Sequence, residues 1–202
     1  MESEKTLPGV TNEIEETMKQ LPAYDYEVIL VNDCSPDGTL ETIKTLCREK
    51  KNFTGIDLAK NFGQHSALMA GLRCTKGDLA VCLDDDGQTP ANEVGKLLSG
   101  IEQGADVVYA RYGKKHHSGF RNFGSHVNEL MTRVMLGKPK ELFVSSYFAA
   151  RRFVVEEMVK YENSYPYVIG LVLRTTKNIV NVEVNHRDRA AGESGYTFSK
   201  LL

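Results

Sequence analysis

An α/β fold, a mostly parallel sheet flanked by helices, is the architecture this sequence predicts, and three observations carry the prediction. Short apolar runs alternate four times with amphipathic stretches across residues 27–110, the pattern of successive strand–helix units. Two polar loops rich in turn formers, 32–39 and 84–90, each follow directly on an apolar run. That places both at the carboxyl ends of strands, where open α/β sheets bind ligands. Finally, 202 residues with 41% hydrophobic and 26% charged content suit one well-buried α/β core and leave little for a second.

In chain order, Ile14, Met18 and Leu21 recur at helical spacing, so residues 8–21 read as an amphipathic helix. Residues 27–31 are a short apolar strand that stops at a loop of Asn, Asp, Ser, Pro and Gly. Asp37 or Thr39 then caps a helix running to residue 50. A strand over 53–58 and a helix over 63–73 follow, and Gly77-Asp78 turns into the strand 79–83. Past Pro90 a helix carries Val94, Leu97, Leu98 and Ile101 on one face, ahead of a strand at 105–110. The second half is less regular. A basic segment at 111–121 leads to a helix over 123–136, a strand over 143–150, helices over 152–161 and 165–175, and an alternating strand over 178–185. The tail from His186 to Tyr196 is polar and basic.

Composition excludes several classes. A formal charge of −2 gives no signal for nucleic acid. The four cysteines (Cys34, Cys47, Cys74, Cys82) are scattered, without a C-x-x-C pair, and read as small core residues of a reducing compartment. No run of 18 apolar residues and no signal-peptide pattern occurs, so the expectation is a soluble, cytosolic chain. Residues 196–202 turn apolar as the sequence stops, which reads as a domain excised ahead of a further segment.

The stretch with the most chemistry is Val81-Cys82-Leu83-Asp84-Asp85-Asp86-Gly87-Gln88-Thr89-Pro90. Three adjacent carboxylates at a strand end repel one another and gain nothing from a packed core. A divalent cation accounts for them: in an extended chain Asp84 and Asp86 share one face, and Asp85 points to the other. Oxygen ligands of this kind suit Mg²⁺ or Mn²⁺, whose coordination is usually completed by substrate phosphates and water. Gln88 adds a neutral oxygen. An acidic turn capping the next helix would use the same residues.

At this point the residues carry a resemblance. Val31-Asn32-Asp33-Cys34-Ser35-Pro36-Asp37-Gly38-Thr39 resembles the V-D-D-G-S-x-D-x-T loop of family 2 glycosyltransferases with the Rossmann-like GT-A fold. Asp84 to Pro90 is similar to their D-A-D-x-Q-x-P motif, and Arg189-Ala190-Ala191-Gly192-Glu193-Ser194 resembles the R-x-x-G-x-S element of the polyprenyl-phosphate branch. That branch includes dolichyl-phosphate mannose synthases and undecaprenyl-phosphate sugar transferases. The resemblance implies that Asp33, with Asn32, Asp85, Gln88 and Ser194, contacts the nucleotide-sugar. It implies that Asp84, Asp86 and Gln88 hold the metal and that Arg189 sits near the donor phosphates with a catalytic part. Arg111, Lys114 and Arg121 fall where the branch handles the acceptor's phosphate. Three departures stand out. Asn32 replaces an acid, Gly87 replaces a common Leu, and no apolar strand precedes the first helix. The missing first strand implies an amino-terminal truncation, with a gapped sheet or a slot filled by another segment or a second chain.

The reaction so implied is metal-dependent, inverting transfer of a sugar from a UDP- or GDP-linked donor to a polyprenyl phosphate. It would run at the cytoplasmic face of a membrane, reached through a segment beyond residue 202, with homo-oligomerisation left open. Rival readings are a family 2 transferase that extends a saccharide, for which Glu141 is the candidate base, and a non-catalytic nucleotide-sugar binding remnant. A nucleotidyltransferase is a weaker third option, since the sequence shows no Gly-rich, Arg/Lys-bearing triphosphate loop. His116 and His117 read as surface or phosphate-adjacent residues, His65 as a helix-start residue or one facing the donor site, and Tyr165, Tyr167 and Phe148 as core or membrane-facing packing. Arg187 competes with Arg189 for the phosphate.

Overall fold

The computed structural model describes residues 3–87, 89–113 and 138–185. These fall into two compact units, one from residues 3–75 and 83–93, the other from 76–82 and 94–185. The expected helix 123–136 lies outside the described residues.

The first unit opens with helix α1, Ser3–Lys19. It starts five residues before the expected boundary and carries Pro8 inside it, where proline costs a backbone hydrogen bond. Tertiary contacts hold the extra turn. Leu7 is buried with Val28, Ile43, Leu46 and Phe53 in one cluster, and Glu4 exchanges hydrogen bonds with the loop ahead of the next helix. Its amide donates to Asp37 Oδ2 (3.4 Å) and its Oε2 accepts from the Gly38 amide (3.0 Å). Strand β1, Val28–Asn32, pairs parallel with β2, Phe53–Asp57, in a register that sets Val28 opposite Phe53 and Asn32 opposite Asp57. Helix α2, Thr39–Glu49, returns across both strands, as a parallel crossover must. Its cap position is Gly38, and Asp37 reaches past it to accept from the Thr39 amide (3.3 Å) and hydroxyl (2.5 Å). Burial pulls the Asp37 carboxyl upward, but these bonds and the one from Glu4 together hold it below its ordinary range. Helix α3, Gln64–Cys74, packs on β1, where Gly71 leaves room for Val31.

The second unit holds a four-stranded sheet in the order β3-β5-β4-β6: β3 is Leu79–Cys82, β4 Val107–Tyr112, β5 Phe148–Arg151 and β6 Ile179–Val184. Strand β5 runs antiparallel to both neighbours, and β4 and β6 are parallel. The sheet is therefore mixed where the sequence predicted mostly parallel pairing. Strand β5 is also only four residues long and overlaps just the end of the expected 143–150. Helix α4, Val94–Glu102, covers β4, β5 and β6. Its last turn is capped by Arg151, which donates to the carbonyls of Ile101 (2.6 Å) and Ala105 (3.0 Å). Helices α5, Arg152–Val159, and α6, Val168–Thr175, pack on each other.

The described strands thus form two hydrogen-bonded sheets. Among the described residues β1 is paired on one side only, by β2, and β3 on one side only, by β5. Residues 3–7 are helical, so they build no strand ahead of β1. Of the cysteines expected in the core, Cys82 is buried and Cys47 partly so, but Cys34 and Cys74 are exposed because one sits in a loop and the other ends α3.

Candidate functional site

The first unit gathers both motif loops. Strand β1 ends at Asn32, which is buried (3% exposed) with both ends of its amide engaged. Nδ2 donates to Asp57 Oδ1 (2.8 Å) and Oδ1 accepts from the Ser35 amide (3.1 Å). The latter bond closes the loop on itself and accompanies a left-handed Cys34 (φ 56°), a conformation that few side chains adopt. An acid at position 32 would set two carboxylates face to face across β1 and β2. The asparagine therefore suits this chain's Asp57.

Asp33, the next residue, is half-buried and takes both oxygens to the start of α3. Oδ1 accepts from the Phe62 amide (2.7 Å) and Oδ2 from the Gly63 amide (2.8 Å), and Asn61 Nδ2 donates to the Asp33 carbonyl (3.2 Å). Gly63 is the cap position of α3 and has no capping side chain of its own. A Cβ at this position would meet nothing within 4 Å, so it is the φ of +86°, not crowding, that calls for glycine. Amides at a helix start need acceptors, and here a carboxylate from another strand end provides them. This role was not visible from the motif.

The acidic triplet follows β3 directly. The strand stops at Cys82 and residues 85–87 bend, with Gly87 at φ +75°, so the strand alternation expected to align Asp84 with Asp86 does not run through them. Asp84, Asp85 and Asp86 are all partly exposed. Asp84 Oδ1 accepts a hydrogen bond from Gln64 Nε2 at 2.9 Å, which ties the acidic loop to the α3 start that Asp33 holds. Beyond the triplet Thr89 is buried. Among the described residues no three His, Cys, Asp or Glu side chains converge as a metal cage. Two carboxylates completed by substrate phosphate oxygens and water fit the way Mg²⁺ and Mn²⁺ are usually bound. Next to Gln64, burial holds the His65 imidazole below its ordinary value and so favours its neutral form.

In the second unit Arg111 is exposed near the end of β4, and Glu141 is exposed. Phe148 is core, 1% exposed and 5.4 Å from the Tyr109 ring. Tyr165, expected as core or membrane-facing packing, is 92% exposed with φ 57° and so is not core. Gln88, Lys114, Arg121, Arg189 and Ser194 lie outside the described residues, as do His116, His117 and Arg187. No described helix is long and apolar enough to cross a membrane.

This arrangement of helices on parallel and mixed sheets is found in solved GT-A glycosyltransferase structures. The glucosyl-3-phosphoglycerate synthase of Mycobacterium tuberculosis with UDP aligns over 100% of this chain and 72% of its own, with a TM-score of 0.66 and 19% identity. The same synthase crystallised with Mn²⁺, UDP and glucosyl-3-phosphoglycerate aligns over 94% of this chain and 70% of its own, with a TM-score of 0.64 and 22% identity. At that identity the likeness speaks to fold alone. The family follows from sequence: residues 2–159 match Glycosyl transferase family 2, and the chain belongs to it. Among curated relatives, the undecaprenyl-phosphate 4-deoxy-4-formamido-L-arabinose transferase of Photorhabdus laumondii is 33% identical over 98% of this chain and 61% of the relative. That of Proteus mirabilis is 32% identical over the same shares. The chain therefore spans about three fifths of the length of these relatives.

Proposed function

We propose that residues 1–202 form the catalytic domain of a glycosyltransferase that moves a sugar from a UDP-linked donor to a polyprenyl phosphate at a membrane surface. The observation that carries this reading is the link between the two motif loops: Asp33 and Asp84 are joined within one unit through residues 61–64. The names of the relatives support undecaprenyl phosphate as the acceptor and 4-deoxy-4-formamido-L-arabinose as the sugar to test first.

Asp84 and Asp86, joined by Gln88, would hold Mg²⁺ or Mn²⁺. Bound there, the cation would offset the charge that develops on the departing diphosphate. The chain's own residues do the rest. Asp33 holds the loop over which the nucleotide would lie and retains lone pairs for a base N–H. Asn32 keeps its own loop, 32–35, closed through the Ser35 amide, and Asp85 and Ser194 would contact the donor. Arg189 would pair with the donor phosphates, and Arg111, Lys114 and Arg121 would receive the acceptor phosphate, since a guanidinium forks onto phosphate oxygens and an ammonium binds them as a point charge. A phosphate monoester is mostly ionised at neutral pH, its second pKa being near 6, so the nucleophile needs no strong general base.

The test is a radiolabelled transfer assay with UDP- and GDP-sugars and undecaprenyl phosphate in detergent. Label should enter the lipid phase only with a divalent cation present. Transfer to a saccharide but not to the lipid would overturn the reading of the acceptor.

A further inference from the structure

The geometry points to Gln64 as a positioning residue for Asp84, held in place by Asp33. This rests on the proposed role of Asp84 as a cation ligand. Gln64 is the first residue of α3 and lies 20 positions from Asp84 in sequence, yet its Nε2 donates to Asp84 Oδ1 at 2.9 Å. The helix start that presents it is fixed by groups remote from the acidic loop. The two Asp33 oxygens accept from the Phe62 and Gly63 amides at 2.7 and 2.8 Å, and the Gly63 carbonyl accepts from the Ser66 and Ala67 amides at 3.0 and 3.1 Å. Asp33, loop 61–63, Gln64 and Asp84 therefore form one continuous chain of contacts.

The choice of an amide is informative. Asp84 lies between the end of β3 and a bend rather than in a strand, so its backbone alone does not aim its carboxylate. A Lys or Arg donor would fix that carboxylate but would also neutralise it and repel a divalent cation. A neutral N–H orients one oxygen without itself neutralising the carboxylate. Hydrogen bonds behind metal-ligating carboxylates set ligand orientation, and their loss typically costs about 10–100-fold in metal affinity or activity. Because this contact faces solvent, the lower end applies.

The experiment uses the 202-residue chain with Gln64→Met, which keeps the stem and removes the donor, alone and with Asp84→Asn. Mn²⁺ affinity in the presence of UDP is read by calorimetry. The Gln64 side-chain NH₂ resonance is read by ¹⁵N NMR in EDTA. The expected results are an NH₂ signal that moves on Asp84→Asn without any metal, Mn²⁺ affinity about 10-fold weaker in Gln64→Met, and no further loss from Gln64→Met once Asp84 is Asn. An NH₂ signal indifferent to Asp84, or unchanged Mn²⁺ affinity in Gln64→Met, overturns the positioning role while leaving the metal site standing. Failure of the unsubstituted chain to bind Mn²⁺ with UDP overturns the metal reading, and the positioning role falls with it.

Discussion

Replacing Asn32 by Asp tests whether this chain's departure from the family motif is matched to its own fold. The Asn32 amide donates to Asp57 Oδ1 at 2.8 Å from a site only 3% exposed. The substitution keeps the oxygen that accepts from Ser35 but turns the donor into a second carboxylate. The lost bond to a charged acceptor is worth about 1.5–3 kcal/mol. Two like charges roughly 3.5 Å apart at an effective dielectric of about 20 repel by about 5 kcal/mol. Asp57 is exposed and can swing into water, which removes most of that repulsion. The expected net loss is about 2–3 kcal/mol at pH 7. Urea denaturation followed by circular dichroism measures it. The sign with pH is fixed: repulsion raises the native pKa of the pair above its unfolded value. The penalty is therefore full above that native pKa and disappears as acid protonates one member. Asn32→Asp combined with Asp57→Asn restores a donor facing an acceptor and should recover most of the loss. A loss that is independent of pH, or that Asp57→Asn does not rescue, refutes the reasoning.

Two further outcomes follow from buried polar groups. The Tyr109 hydroxyl lies fully buried without a hydrogen-bond partner among the described residues, so Tyr109→Phe should raise stability by about 1–2 kcal/mol, read as a higher urea midpoint; a lower midpoint would show that the hydroxyl is satisfied. Burial holds the His65 pKa below its ordinary 6.5, so below pH 6.5 the unfolded chain gains a proton that the native chain does not. Stability should fall as pH drops from 6.5 toward the native value, and His65→Gln should flatten that slope; an unchanged slope would count against it.

Much of the first unit was legible because its signals are local. Alternating apolar runs located β1, α2, β2 and α3 to within one or two residues, and both motif loops fell directly after apolar runs as expected. Gly63 and Gly87 are sequence-visible marks of positive φ. What escaped was settled by distant contacts. The early start of α1 depends on Leu7 reaching Ile43 and Phe53, which no periodicity count sees across Pro8. The antiparallel course of β5 is set by pairing with β3 and β4, and its four residues carry no mark of direction. Asp33 illustrates the same limit at the site. Its position in the motif implied a ligand contact, whereas its bonds to Phe62 and Gly63 arise because α3 begins at a glycine with no cap of its own. The uncapped start was readable in Asn61-Phe62-Gly63, but the identity of its partner was not.

The central claim is that Asp84 and Asp86 hold a cation that grips the donor's diphosphate. Calorimetric titration of UDP into the chain with Mn²⁺ and with EDTA, repeated on the Asp84→Ala, Asp86→Ala double variant, tests it most directly. Mn²⁺ should strengthen UDP binding to the unsubstituted chain, and the double variant should lose that gain while keeping its fold by circular dichroism. Equal Mn²⁺-dependent binding in the two proteins would contradict the claim.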